Sequence, residues 1–286
     1  MKQRNLFSSC AGLLLAAALL AAAPAIKSGF ITTSDGVRLH YLESGSGDSI
    51  LFVPGWTMPA DIWEHQIRHF AARWRVVAMD PRSQGESDKP TEGHYPERRA
   101  QDIKEVVDQL KLAPVVLVGW SMGVTESLTY VEQFGTATLR AVVLVDGSIA
   151  DERKPEETAQ MWQWLKAAQV NRKEFAAKFV RSMYSQPQPE AYYERITNAS
   201  LRTPTNSAIT LIANVEGRGD WRPVLAKLDR PTLYVYAPRM KAQAAMLKAA
   251  LPAARLELFA QAGHALFVDE AARFNRLLEE FLSAAR

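Results

Sequence analysis

Cysteine is almost missing: the 286-residue chain holds one, Cys10. A lone thiol closes no intrachain disulfide, so the cysteine-dense small scaffolds are excluded and the fold must rest on packing. Cys10 precedes an apolar run, where a lipid-attachment cysteine is not expected, and is read as incidental. An excess of one charge is missing too. Thirty-four Lys and Arg face 31 Asp and Glu, a net of +3 with no block of like charge. That balance argues against nucleic acid or an acidic surface as partner. Repeats and low-complexity tracts are absent beyond the N-terminal apolar run, and the five histidines show no metal-ligand spacing, so neither a metal nor another cofactor is called for.

Long hydrophobic runs are equally scarce. One stands out, AGLLLAAALLAAA over 11–23, and its 13 residues fall short of the roughly 20 that span a bilayer. It follows the basic start MKQR and precedes Ala23-Pro24-Ala25, the layout of a secretory signal peptide. The expectation is a signal at 1–25, cleaved near Ala25, and a periplasmic or secreted chain with no stable membrane insertion. Without Lys2 and Arg4 the net charge is +1 and no cysteine remains. Nothing in the pattern distinguishes periplasm from full secretion or specifies an oligomeric state.

What is present is a regular alternation. ILFVPG (50–55), RVVAMD (75–80), VVLVGW (115–120), AVVLVD (141–146), TLYVYA (232–237) and RLELFA (255–260) are near-continuous apolar stretches. Parallel strands covered by helices on both faces have this character. Helical patterns fall between them at 61–72, 97–111, 122–134, 241–250 and 269–283, and FITTSDGVRLHYLES (30–44) reads as a hairpin turning at Asp35-Gly36. These elements specify an α/β fold, a mostly parallel doubly wound sheet with an antiparallel start. About 85 residues after Asp146 carry helical patterns only, at 155–168, 171–184, 189–200 and 205–216. A structureless loop of that length is improbable, so a helical cap is expected at 148–219, inserted into a core of 26–147 and 220–286. Most of its aromatics should pack the insertion itself, with a few roofing a pocket.

Gly119-Trp120-Ser121-Met122-Gly123 follows a strand and opens a helix. Small residues on both sides let the chain turn sharply, lift the Ser121 hydroxyl above the sheet and bring the next N–H beside it. A serine hydroxyl needs a base to become a nucleophile. Among His40, His65, His69, His94 and His264, the last lies in QAGHALF, in the loop after the last strand, at the same rim as Ser121. The N–H of Met122 and that of Trp56, after Gly55, are the candidate oxyanion donors.

With these pieces the chain resembles the α/β-hydrolase superfamily over nearly all of 29–286. It is most similar to the cofactor-free esterases called non-haem haloperoxidases or arylesterases, through FITTSDGVRLHY, PGWTMPADIWEHQ, AMDPRSQGESDKP, LVGWSMG and AGHALFVDEAARFN. The resemblance implies hydrolysis of small or aromatic esters through an acyl-serine, with perhydrolysis as a side reaction in some members. Three positions depart from the pattern. Pro54 replaces a usual histidine, Ser83-Gln84 interrupts an arginine-glycine turn and should reshape a rim loop, and Met240 stands where the triad aspartate normally follows TLYVYA.

The superfamily also has members whose acid follows the preceding strand, which here ends in Asp146, 25 residues past Ser121. Asp146 is therefore the expected third member, with Asp220 and Glu216 as alternatives and a site without an acid as another. The expected substrate is a small or aromatic uncharged carboxylic ester, a lactone being the same electrophile. Trp56, Met58, Trp120, Leu266 and Phe267 are the expected pocket residues. The competing reading is a ligand-binding or receptor-like member with slow or no turnover, motivated by Met240.

Overall fold

The computed structural model describes residues 24–150, 154–215 and 219–285. The expected signal, apart from Pro24 and Ala25, lies outside this range, as does Glu216. Eight strands form one sheet: β1 Lys27–Thr32, β2 Arg38–Ser44, β3 Ser49–Val53, β4 Arg75–Met79, β5 Val115–Trp120, β6 Leu139–Val145, β7 Thr232–Tyr236 and β8 Arg255–Leu258. The spatial order is β1-β2-β4-β3-β5-β6-β7-β8. β2 pairs antiparallel with β1 and β4, and every other pairing is parallel. The hairpin turns at Asp35-Gly36, where Gly36 takes a φ of +82° that other residues rarely adopt.

The central strands explain their own composition. Every residue of β3 and β5 is buried, because helices cover both faces. One face carries α2 (Pro96–Gln109) and α3 (Met122–Phe134), whose Ile103, Val106, Val107, Val124 and Leu128 meet the sheet. The other carries α1 (Glu64–Phe70) and the last two helices, while Val224, Leu225, Ala244 and Leu247 of the two helices before them join the first face. Toward the C-terminus the chain forms α8 (Arg222–Leu225), α9 (Lys241–Ala250), α10 (Leu266–Asp269) and α11 (Ala271–Ala284), which follow four helices of the insertion numbered α4 to α7 below. In α11 the buried Phe274, Leu277, Leu278, Phe281 and Leu282 recur at helical spacing and form one stripe. Each such side chain contributes about 1.5–3 kcal/mol by leaving water.

Between β6 and β7 the chain forms α4 (Pro155–Val170), α5 (Arg172–Ser182), α6 (Glu190–Leu201) and α7 (Thr205–Val215). The insertion is tied to the sheet's rim loops by polar contacts. Trp56 Nε1 donates to the Ala208 carbonyl at 2.7 Å, the Thr57 and Ser200 hydroxyls lie 2.8 Å apart, and Asn214 Nδ2 donates to the His94 carbonyl at 2.8 Å. Arg195–Asp61 and Arg202–Glu86 ion pairs add to these. Among the described residues no helix is long and apolar enough to cross a membrane.

Candidate active site

β5 runs straight into α3, and the turn between them holds Ser121 at φ 56° and ψ −118°. A non-glycine residue is strained there, by about 1–3 kcal/mol, and close packing of the surrounding chain sustains it. Glycine is required on both sides. A Cβ on Gly119 would lie 2.2 Å from the Gly123 carbonyl oxygen, and one on Gly123 would lie 2.5 Å from that of Val53. The loop after β3 presses on the same turn, since a Cβ on Gly55 would meet Ser121 Cβ at 2.9 Å and Oγ at 3.3 Å. Backbone at Gly55-Trp56 and at Met122 therefore flanks the serine.

Ser121 Oγ lies 2.9 Å from His264 Nε2, and His264 Nδ1 lies 2.8 Å from Asp146 Oδ2. The His264 loop is clamped from two sides. Trp120 Nε1 donates to the His264 carbonyl at 2.9 Å from beneath, and the Ala265 N–H donates to the Met183 carbonyl at 2.9 Å on the insertion side. Asp269 draws the ends together by accepting from the N–H groups of Gly263 and Ser185, each at 2.8 Å. Gly263 fits because a Cβ there would lie 2.6 Å from the Met183 oxygen. Asp146 closes β6 at a φ of 48° with its carboxylate wholly buried. Its Oδ1 accepts the Ala237 N–H at 2.8 Å, and its Oδ2 faces both His264 and Arg239, the latter at 2.5 Å.

Burial alone would raise the Asp146 pKa, but the His264 hydrogen bond and charge, Arg239 and the Ala237 N–H outweigh it and hold the acid below its ordinary range. Burial lowers the His264 pKa, and the Arg239 charge acts in the same direction against Asp146. The imidazole therefore stays neutral to lower pH than a free histidine.

The remaining candidates are engaged elsewhere. The Asp220 carboxylate pairs with Arg222 at 2.7 Å and is half exposed. His94 Nε2 lies 2.7 Å from Ser83 Oγ, and His69 faces Glu279 at 3.3 Å. Ser28, His40 and Asp80 form another hydroxyl–imidazole–carboxylate chain, with contacts of 2.9 and 2.7 Å. There the serine lies within the regular strand β1, and Asp80 also clamps the N–H groups of Ala60 and Glu86 at 2.5 and 2.8 Å.

A cavity of about 180 Å³ opens beside Ser121. Trp56, Met122, Thr125, Ile212, Val215, Trp221 and Met240 line it together with Arg239, Ser121, His264 and Asp146. Trp56 carries the roof: its ring packs against Trp164 at 4.9 Å and Phe179 at 5.2 Å, side chains of α4 and α5. Met58, Trp120, Leu266 and Phe267 do not line the cavity, contrary to the expectation from sequence. All four are buried in the core beneath it, where Phe267 stacks on Trp63 at 3.8 Å. Met58 belongs to the loop after β3, Trp120 ends β5 and Leu266 and Phe267 open α10, but all four side chains turn down under the rim.

Two contributors were not foreseen. Gln84, seen in the sequence only as half of an interrupted turn, is fully buried and donates to the Gly55 and Met58 carbonyls at 3.0 and 2.9 Å. Arg99 holds its Oε1 at 3.0 Å and is itself bound to Glu126 of α3 at 2.5 Å. This buried chain fixes the loop after β3 relative to the serine helix. Arg239 is the other; its neighbour Met240 had marked the place only as lacking an acid.

Known proteins share this architecture. Residues 48–271 match the family described as alpha/beta hydrolase fold. A non-heme chloroperoxidase, CPO-A1 of Kitasatospora aureofaciens, is 27% identical over 271 residues, covering 88% of this chain and 98% of that protein. The bifunctional esterase/perhydrolase DCH of Acinetobacter calcoaceticus is 35% identical over 120 residues, 41% of this chain and 44% of that one. Among solved structures, a putative aryl esterase from Burkholderia cenocepacia superimposes with a TM-score of 0.81 at 25% identity, covering 91% and 99% of the two chains. The esterase EaEST from Exiguobacterium antarcticum gives 0.82 at 24% identity, over 89% and 98%. The strand order, the strained serine turn and the match across most of the sequence place this chain in the α/β-hydrolase family.

Proposed function

We propose that the protein is a serine carboxylic-ester hydrolase in which Ser121, His264 and Asp146 act together. The carrying observation is the unbroken line from Ser121 Oγ through His264 to Asp146, at 2.9 and 2.8 Å, with Gly55 packed against the serine. Relatives named esterase, aryl esterase and esterase/perhydrolase support the same reaction class.

Ser121 Oγ attacks the ester carbonyl while its proton passes to His264 Nε2. Asp146 holds the imidazole with Nδ1–H toward itself and stabilises the imidazolium. The N–H groups of Met122 and Trp56 receive the tetrahedral oxyanion. His264 then returns the proton to the departing alkoxide, leaving an acyl-serine. A water deprotonated by His264 attacks that acyl group and restores the hydroxyl. Asp146 takes the part that Met240 cannot, which removes the main motive for the receptor-like reading.

The small cavity and its walls of Trp56, Met122 and Trp221 favour a compact ester with an apolar or aromatic part, or a lactone of similar size. Helices α4 to α7 act as a cap setting that size, and the N-terminal sequence supports export of the mature chain to periplasm or medium. The test is Ser121→Ala: it should abolish hydrolysis of 4-nitrophenyl acetate and labelling by a fluorophosphonate. Undiminished hydrolysis in that variant would overturn the assignment.

A further inference from the structure

Arg239 sits where charge is awkward for the reaction just described. Its Nη2 lies 2.5 Å from Asp146 Oδ2 and 2.6 Å from His264 Nδ1, while the side chain lines the cavity and is 52% exposed. A guanidinium has donors only. A nitrogen 2.6 Å away must therefore offer a lone pair, or two N–H groups collide. Ester hydrolysis needs the opposite tautomer, with Nδ1–H donating to Asp146 and the lone pair on Nε2 facing Ser121. Arg239 also competes with the imidazolium for the carboxylate that must stabilise it. The arrangement suits a resting site better than a reacting one.

The guanidinium has somewhere else to go. Among the described residues its polar contacts run through Nη2, so Nε and Nη1 still offer N–H groups to an anion in the cavity, and once Nη2 leaves Asp146 the whole fork can grip a carboxylate. Ser121 Oγ is within about 8 Å, two hydrogen-bond lengths and one imidazole away. A carboxylate three or four bonds from the reacting carbonyl spans that gap.

We propose that Arg239 binds a carboxylate carried by the substrate, and that this contact draws the guanidinium off His264 Nδ1 and Asp146 so that the base takes its reactive tautomer. The substrate class is then a small ester with a free carboxylate, a half-ester of a dicarboxylic acid or an acylated hydroxy acid. This rests on the serine-hydrolase reading of the same site. It replaces the uncharged substrate expected from the apolar residues near the motifs, because no sequence pattern marked Arg239 as part of the lining.

The test compares esters differing only in that charge. Mono-4-nitrophenyl succinate against 4-nitrophenyl methyl succinate probes the acyl side, by nitrophenol release. O-acetylglycolate against its methyl ester probes the alcohol side, by acetate release. Wild type should prefer the anion at least tenfold in kcat/KM in one arm. Arg239→Met should bring that ratio to about one and hydrolyse the neutral ester several-fold faster, its base no longer obstructed. Arg239→Lys, which keeps the charge without the fork, should retain a reduced preference and decides the matter if the methionine variant does not fold. No preference in either arm, or a preference that survives Arg239→Met, overturns the proposal while leaving the esterase intact. Failure of wild type on all four esters, together with no fluorophosphonate labelling, would instead overturn the serine-hydrolase reading and this proposal with it.

Discussion

The substitution Asp146→Asn should cost activity far more than stability, and the local hydrogen bonds say why. Oδ1 accepts the Ala237 N–H at 2.8 Å, so the new amide must keep its oxygen on that side. Its NH2 then occupies the Oδ2 position, 2.8 Å from His264 Nδ1. A donor at that point keeps Nδ1 an acceptor and holds the imidazole proton on Nε2 even when Arg239 withdraws, so that nitrogen cannot take the proton of Ser121. The developing imidazolium also loses its counter-charge. A comparable change in a known Ser-His-Asp enzyme lowers kcat about 10⁴-fold, and a fall of roughly 10³–10⁴ in kcat/KM, or about 4–5.5 kcal/mol of barrier, is expected here. The fold should lose only about 1–3 kcal/mol, because shape and the Ala237 bond survive. Rates on 4-nitrophenyl acetate beside circular-dichroism melting curves read both quantities. A folded variant within tenfold of wild type would refute the assignment of Asp146.

Two further perturbations probe the frame around the site. Gly55→Ala places a methyl 2.9 Å from Ser121 Cβ, so the loop must retreat and carry the Trp56 N–H with it. We expect a 10- to 100-fold loss in kcat with KM little changed, measured on the same ester, and an unchanged kcat would remove that loop from the oxyanion site. Burial, aided by the charges of Arg99 and Arg82, lowers the His94 pKa to about 4. The unfolded chain binds this proton first, from about pH 6.5, so His94 withdraws on the order of 2–3 kcal/mol of stability as pH falls from 6.5 towards 4. Denaturant titrations at several pH values should show a flatter acid slope for His94→Gln than for wild type, and equal slopes would refute the assignment.

Much of the architecture was legible because local patterns and the global fold agree. The buried strands read as apolar runs since both faces are covered, and α11 shows its stripe since only one side meets the sheet. The helices of the insertion emerged by the same logic, within a residue or two of their ends. The serine turn was legible too, because a strained backbone needs glycines at fixed offsets and these leave a mark in sequence. Pocket lining beyond Trp56 was not. Trp120, Met58, Leu266 and Phe267 adjoin the reactive residues in the chain, yet their side chains point into the core.

The sequence by itself determined the sheet, the strained serine turn and the loop that carries His264, since each depends on periodicity or on residues a few positions apart. Tertiary structure alone decided which acid meets the histidine, what roofs the cavity and where Arg239 reaches. Asp146 and His264 are separated by 118 positions, and Trp56 and Ala208 by 152. Contacts over such spans depend on how strand ends and the inserted helices converge in space, and no local pattern of side chains encodes that convergence.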